Sequence, residues 1–461
     1  MKHVNHELSP MACPARLEDV DLFGRGAQEH WYEAYEILHR EEPVLRVEGG
    51  GVSPGTDAFV LTKHEDVMAV VKDPVRFRVL STTRVRQLAD QGLTPEEAFA
   101  TTHNLMQASM VSLRPTQELY FQHRRELTDP WVGVGASRHT EMITRHAHQL
   151  VDEWADDGDI EFITRFARPL PQRVMAEVLG FPQQDIPQLA EWGDAVVTPF
   201  VHGTGLKHEL TAEQAAEMNR RLEGFQEYIY DHVEAKRAAP LDDMVSFLCS
   251  VRYEALGRTL TNIEIAGIVH AMILGGLETT QYALEEQAQL LCENPGLFQQ
   301  LRTDRTKLRN FVEESLRLRA PTHGLSTRMT TQDETFQGVP VPAGSLLHLR
   351  FAAANVDDDA FSCPLDLDLD REGIGRHLTF SSGPRVCPGA TISRLEQQIA
   401  WGVLLDRLDS IQYGEGNDWM HRPGIMLATI KLNLRVHHAA ERLSLGTRGA
   451  TGAAGSATLA T

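Results

Sequence analysis

The sequence predicts a mainly α protein with small β-sheets (α+β), folded as a single large domain. Three observations point there. Apolar residues recur at helical spacing through most of 85–315, strand-like runs are short and lie on either side of that block, and no Gly/Ser-rich linker cuts the middle. The 461 residues are 42% hydrophobic and 23% charged, enough apolar side chain for a large core and too little charge for a disordered chain. Length alone allows roughly three domains of about 150 residues, so the single-domain reading rests on the missing linkers.

Each element follows in order. Residues 1–29 read as an N-terminal extension. HWYEAYEILHREE (30–42) is amphipathic at helical spacing. PVLRVEG and DAFVLTK, on either side of Gly49-Gly50-Gly51, form a small hairpin sheet, and HEDVMAVVKD opens a helix. TEMITRHAHQLVDEWADDG, LPQRVMAEVLGF, AEQAAEMNRRLEGFQEYIYDHVEAKR and 261–292 are helices that stop at Gly or Pro. Short strands return after 320 in ETFQGVPVPAGSLLHLR, an Asp- and Pro-rich loop follows, and a last helix begins near 388. Residues 440–461 are small, polar and read as a disordered tail, which leaves 30–439 as the folded domain.

Charge and cysteine usage narrow the function. The 64 acidic against 44 basic residues leave a net charge of −20, a field that repels phosphate backbones and excludes nucleic acid as a partner. The N-terminus lacks an apolar run with a cleavage site, and the longest apolar stretch, Ala266 to Leu277, falls short of the ~20 residues of a membrane span. The expectation is a cytoplasmic protein without a membrane anchor. Cysteines 13, 249, 292, 363 and 387 show no CxxC spacing, and no HExxH or paired His stands at metal spacing, so structural zinc is not expected.

Chemistry concentrates in HLTFSSGPRVCPGATISRLEQQ. A Gly-, Ser- and Pro-rich loop runs into an apolar-periodic helix with Cys387 at the junction, where the helix terminus and Arg385 favour a thiolate able to bind metal. The other four cysteines read as structural. A second segment opens with Thr261 and Glu264, a capping box, and predicts a helix of about 30 residues. Gly275-Gly276 and Thr279-Thr280 weaken its middle, and the Thr279 hydroxyl can bond back to the Gly275 carbonyl. In FVEESLRLRAP, Glu314 and Arg317 share a helix face. Glu217/Arg220 and Glu234/Arg237 have the same spacing, so the pair says little alone.

Phe380-Ser381-Ser382-Gly383-Pro384-Arg385-Val386-Cys387-Pro388-Gly389 resembles the haem-binding loop of the cytochrome P450 monooxygenases. Glu314-x-x-Arg317 and Gly275-Gly276-x-Glu278-Thr279 resemble two further motifs of that family, in the family's order. The resemblance spans about residues 30–436 and implies the cytochrome P450 fold with haem b, Cys387 as the axial iron ligand and Phe380, Gly389 and Gly275 beside the cofactor. It also implies Arg124, Arg328 and Arg385 at the propionates, Glu314 and Arg317 as a structural pair, and Glu278 and Thr279 as the catalytic acid and alcohol. Three positions depart from the pattern: Ser381 stands where Gly is commoner, Pro388 removes an N–H beside the sulfur, and Tyr120 replaces the usual His four residues before Arg124.

The implied activity is insertion of one O2 atom into a small apolar substrate, a terpenoid, steroid or aromatic compound, held by Ala271, Leu274, Gly275, Gly324, Leu325, Ile425 and Met426. Electrons would come from a ferredoxin and its NAD(P)H-dependent reductase. Arg124, Arg125, Arg385 and Arg394 are candidates for its basic docking face. The alternatives are a hydrogen-peroxide-driven peroxygenase, against which the Glu278-Thr279 pair speaks, and a non-catalytic haem-binding sensor.

Overall fold

The computed structural model describes residues 12–438 except Arg25, 155–157, 203–210, Leu325, 423–424 and the side chains of 81–82 and 197–202. The expected tail at 440–461 and the expected pocket residue Leu325 lie outside the described residues. Helix α1 (Trp31–Glu41) precedes β1 (Val44–Val47) and β2 (Ala58–Leu61), which pair antiparallel as the hairpin reading predicts. Leu22, Phe23 and Ala27 already pack with Trp31, Tyr35 and Leu38, so the segment before residue 30 contributes to the core. Helix α2 (His64–Lys72) and β3 (Phe77–Val79) complete this end.

The helical block that follows contains α3 (Leu105–Leu113), α4 (Gln117–His123), α5 (Thr140–Asp152), α6 (Pro169–Leu179), α7 (Ile186–His202) and α8 (Ala212–Ala238). It closes with α9 (Asn262–Gly276), α10 (Thr279–Glu293) and α11 (Leu308–Leu318). Then β4 (Ser326–Thr330) and β5 (Leu346–Leu349) return to the first sheet, in the order β1-β2-β5-β4-β3, with β5 parallel to β2. Helix α12 (Ala390–Arg407) follows, and Leu408, Ile411, Leu432, Leu434 and Val436 of the chain after it join the same core.

The central helix is positioned by local chemistry. Thr261 N–H donates to Glu264 Oε2 at 2.8 Å, and the Thr261 hydroxyl accepts from Glu264 N–H at 3.4 Å, the predicted capping box. The same buried carboxylate takes Ser112 of α3 at 2.6 Å and both terminal nitrogens of Arg258 at 2.8 Å, which fixes α3 across α9. The long helix is not continuous: it stops at Gly276 and resumes at Thr279, where the sequence weakens it. Among the described residues Asn262–Glu293 is the stretch long and apolar enough to cross a membrane, and 67% of its apolar window is buried inside the protein.

Candidate active site

The loop before α12 is shaped by two left-handed residues, Ser381 (φ 60°) and Gly383 (φ 66°). Glycine is required at 383, since a Cβ there would lie 2.8 Å from the Val71 carbonyl oxygen. Ser381 adopts the same region with a side chain, and its buried Oγ has no hydrogen-bond partner among the described residues. Left-handed backbone costs an L-residue roughly 1–2 kcal/mol, against the roughly 0.5–1 kcal/mol that glycine's freedom adds to the unfolded state. Ser381→Gly is therefore expected to raise the urea midpoint slightly and Gly383→Ala to lower it clearly. A lower midpoint for Ser381→Gly would show that the strain reading is wrong.

Cys387 N–H donates to the Phe380 carbonyl at 2.8 Å and closes the loop. Burial pushes the Cys387 thiol up, against the pull of the Gly389 and Ala390 N–H groups and of Arg124 and Arg394. Among the protein's own groups burial outweighs the helix terminus and the arginines, so a bound cation would add the stabilisation that a thiolate needs there. Gly389 (φ −84°) would place a Cβ at an ordinary 3.9 Å from the sulfur, so the protein's own atoms do not demand glycine there. Phe380 packs against Ala283, Val312 and Leu316 beneath the Arg394 guanidinium, 4.4 Å from its ring.

The interrupted helix presents two different glycines. Gly276 is pressed onto Met175, whose Cγ and Sδ would be 2.9 Å from a Cβ, whereas Gly275 has nothing within 4 Å and is exposed in the middle of a core helix. Thr279 Oγ donates to the Gly275 carbonyl at 2.8 Å. Buried Glu278 accepts from Tyr282 Oη at 2.7 Å. Burial, reinforced by Asp194, lifts its carboxyl to about 7 against the opposing pull of Tyr282 and Arg422.

Leu274, Ile425 and Met426 meet in one apolar cluster with Tyr282 and Ala428. Met426 bridges to Thr322 and Ile425 accepts from His323 N–H at 2.9 Å, so this wall is zipped to the segment before β4. The open side of Gly324 faces Arg350, whose Nη1 would lie 3.0 Å from a Cβ, so its own contact is with that guanidinium. Ala271 lines a separate small cavity with Tyr120, Arg124 and Pro388, next to the cysteine.

A cluster of cations adjoins the cysteine loop. Arg385 lies 3.9 Å over the Tyr120 ring and donates to Gln117 at 3.0 Å, while Arg114 sits 5.4 Å from the same ring. Buried Arg328 donates to the Thr327 carbonyl at 2.9 Å. Among the described residues none of these three arginines pairs with a carboxylate. Burial, aided by Arg385, holds both Arg114 and Arg328 down at about 10. Tyr120, the position that departs from the histidine of the family pattern, thus lies against both guanidiniums. Arg124 is engaged elsewhere, with Asp129 at 3.1 Å and the Val386 carbonyl at 2.7 Å. An accessible groove at Gly275, a half-buried cysteine sulfur and three half-buried or buried arginines with no carboxylate partner among the described residues fit a flat apolar iron cofactor carrying two carboxylates.

Glu314 and Arg317 are both fully buried and joined at 2.8 and 2.7 Å. The sequence missed a third member: Arg371 donates to Glu314 at 2.8 Å. It also missed Glu313, which takes Arg394 at 2.7 and 2.9 Å and His377 at 3.0 Å. Arg394 and Arg124 are therefore held in internal ion pairs; of the four docking candidates Arg125 is exposed, at 73%. Away from the site, the ligand atoms of Cys13, His30 and Glu33 lie within 4.8 Å of one another, a grouping that spacing did not reveal. The Asp357, Asp358 and Asp359 cluster instead holds the Lys63 ammonium.

A family model described as Cytochrome P450 matches residues 206–436. The chain is 31% identical over 384 residues to the mycinamicin IV hydroxylase/epoxidase of Micromonospora griseorubida, covering 82% of this chain and 88% of that one. It is 26% identical over 402 residues to the polyketide biosynthesis cytochrome P450 PksS of Bacillus subtilis, covering 86% and 94%. Its fold is similar to P450BioI, solved with an acyl carrier protein ligated to hexadec-9Z-enoic acid, at TM-score 0.73, 25% identity and coverage of 89% and 98%. Matching relatives that extend over most of both chains agree with the cysteine loop built on α12: the chain belongs to the cytochrome P450 family.

Proposed function

We propose that the protein is a haem-thiolate monooxygenase that inserts one atom of O2 into a small apolar organic substrate, with electrons from a ferredoxin and its NAD(P)H-dependent reductase. The observation that carries this reading is the half-buried Cys387 where its loop runs into α12, with Arg385 in that loop and Arg328 near it pairing with no carboxylate among the described residues. Bound through Cys387, haem b supplies an electron-rich iron for O2 activation. Arg328 and Arg385 would hold its carboxylates, with Tyr120 fixing the Arg385 plane. Gly275 leaves room at the groove, and the Thr279 hydroxyl stands there on the Gly275 carbonyl. Glu278, near 7, can take up and release a proton at neutral pH. Leu274, Ile425 and Met426 supply an apolar wall that favours terpenoid, steroid or aromatic substrates.

The intact Glu278-Thr279 pair favours this over a peroxide-driven peroxygenase or a haem sensor. The test is the carbon monoxide difference spectrum of the reduced protein. A red-shifted, thiolate-type Soret band is expected, lost in Cys387→Ala; a band that survives the substitution ends the reading. Spin-state titration with terpenes, steroids and methoxyaromatics then identifies the substrate class. The panel includes mycinamicin IV because a relative is named for it.

A further inference from the structure

We propose that Cys13, His30 and Glu33 form a site for one Zn2+ ion that clips the segment before α1 onto that helix. The site goes beyond the monooxygenase reading and stands independently of it. The Cys13 sulfur, a His30 ring nitrogen and a Glu33 carboxylate oxygen lie within 4.8 Å of one another. A tetrahedral zinc ion, about 2.3 Å from sulfur and about 2.0–2.1 Å from nitrogen and oxygen, sets such atoms roughly 3.3–3.6 Å apart. Cys13 and Glu33 are exposed and His30 is half-buried, so small rotations of their side chains close the remaining distance.

The backbone under each ligand is already fixed. His30 ends the turn Ala27–His30, which leads straight into α1, and Glu33 lies in the first turn of that helix. At a spacing of three they share one side of it, while Trp31, Ala34, Tyr35 and Leu38 bury the other. Glu29, next to His30, accepts from the His421 N–H at 2.7 Å and pairs with its ring at 3.0 Å, which ties the turn to the strand Asp418–His421. On the other side of the clip, buried Pro14 restricts Cys13 to extended backbone. The Leu22 carbonyl accepts from Trp31 Nε1 and Arg350 Nη2, both at 3.3 Å, and Leu22 and Phe23 pack with Trp31, Tyr35 and Leu38. The segment thus lies along α1 before any ion binds. CxxC and HExxH spacing miss the trio because tertiary packing, not local sequence, brings Cys13 to the His30/Glu33 pair.

A thiolate, an imidazole and a carboxylate make a mixed donor set that suits Zn2+, whereas Ca2+ and Mg2+ take oxygen ligands. Three protein ligands leave the fourth position to water. When sulfur binds the ion, the Cys13 thiol proton passes to solvent and the zinc stays divalent, so no electron is transferred. The net charge of −20 favours cation uptake at the surface.

The test uses the full chain after dialysis against a chelator, titrated with Zn2+ in competition with a chromophoric chelator. Zinc-edge X-ray absorption then reads the ligand shell, which haem iron does not disturb. The parent should bind one ion per chain with one sulfur in the shell. Cys13→Ser should remove that sulfur, and both Cys13→Ser and Glu33→Gln should weaken binding by at least about tenfold, the lower end of what even an outer-shell change costs a metal site. Cys363→Ser, at another exposed cysteine, should match the parent in both readouts. Hydrogen exchange at the amides of 13–23 should slow on adding Zn2+ to the parent and stay unchanged in Cys13→Ser. Parental affinity in both Cys13→Ser and Glu33→Gln, or a shell without sulfur, refutes the site and leaves an adventitious ion only. A sulfur shell lost in Cys363→Ser refutes it as well. Zinc held through Cys13 with no slowing of exchange refutes the clip.

Discussion

Arg317→Leu is expected to lower the free energy of unfolding by about 3–5 kcal/mol, the usual cost of removing one partner from a buried ion pair. The loss has two sources. Glu314, fully buried, would retain Arg371 but lose a bidentate partner. Arg317 also donates to the carbonyls of Asn355, Pro364 and Asp366, at 2.8, 2.7 and 3.2 Å, and those oxygens would lose this donor. The segment 356–373 has no helix or strand of its own, so these donations stand in for a backbone ladder. Arg371 does the same for Ser362, Cys363 and Asp366. Arg317→Lys should recover only part of the loss, because an ammonium cannot form the planar two-point pair and reach three carbonyls at once. Urea unfolding measures it; a loss under about 1 kcal/mol would place the pair among weak surface bridges despite its burial.

The same network shows what the sequence makes legible. The Thr261/Glu264 cap, the Cys387 loop and the Glu314/Arg317 spacing are local features, and local geometry carries them directly into the structure. Arg371 was invisible because it reaches Glu314 across 57 positions through a loop without periodicity. Arg394 read as a surface charge, since helical spacing gives a side chain's direction but not which carboxylate covers it. Tyr282 belongs to no motif in the sequence, and its hydroxyl acquires meaning only because Glu278 falls in the helix break, one turn before it. Ser381 departs from the glycine pattern in the sequence, but its positive φ appears only once the loop is folded.

Glu313 should govern much of the protein's acid stability. Burial works against its charge, but His377 and the two-point contact with Arg394 win and hold the carboxyl at about 2, below the ordinary 4.5. A carboxyl depressed on folding contributes stability that is whole above its unfolded value and is lost as pH falls through the folded one. The window therefore runs from about 4.5 down to about 2, and the difference corresponds to on the order of 3 kcal/mol. Glu313→Gln should be less stable than the parent by about that amount at neutral pH, with the two stability curves converging as the pH approaches the folded value. Glu285 and Glu396, lifted to about 8 by burial, act in the opposite sense and are common to both proteins, so the comparison cancels them. Urea midpoints across the window decide the matter, and parallel curves would contradict the assignment. The consequence reaches the cysteine. Glu313 holds the Arg394 guanidinium over Phe380, whose carbonyl takes the Cys387 N–H, so Glu313→Gln should also release the cofactor faster at neutral pH, measured by transfer to an apo-globin acceptor.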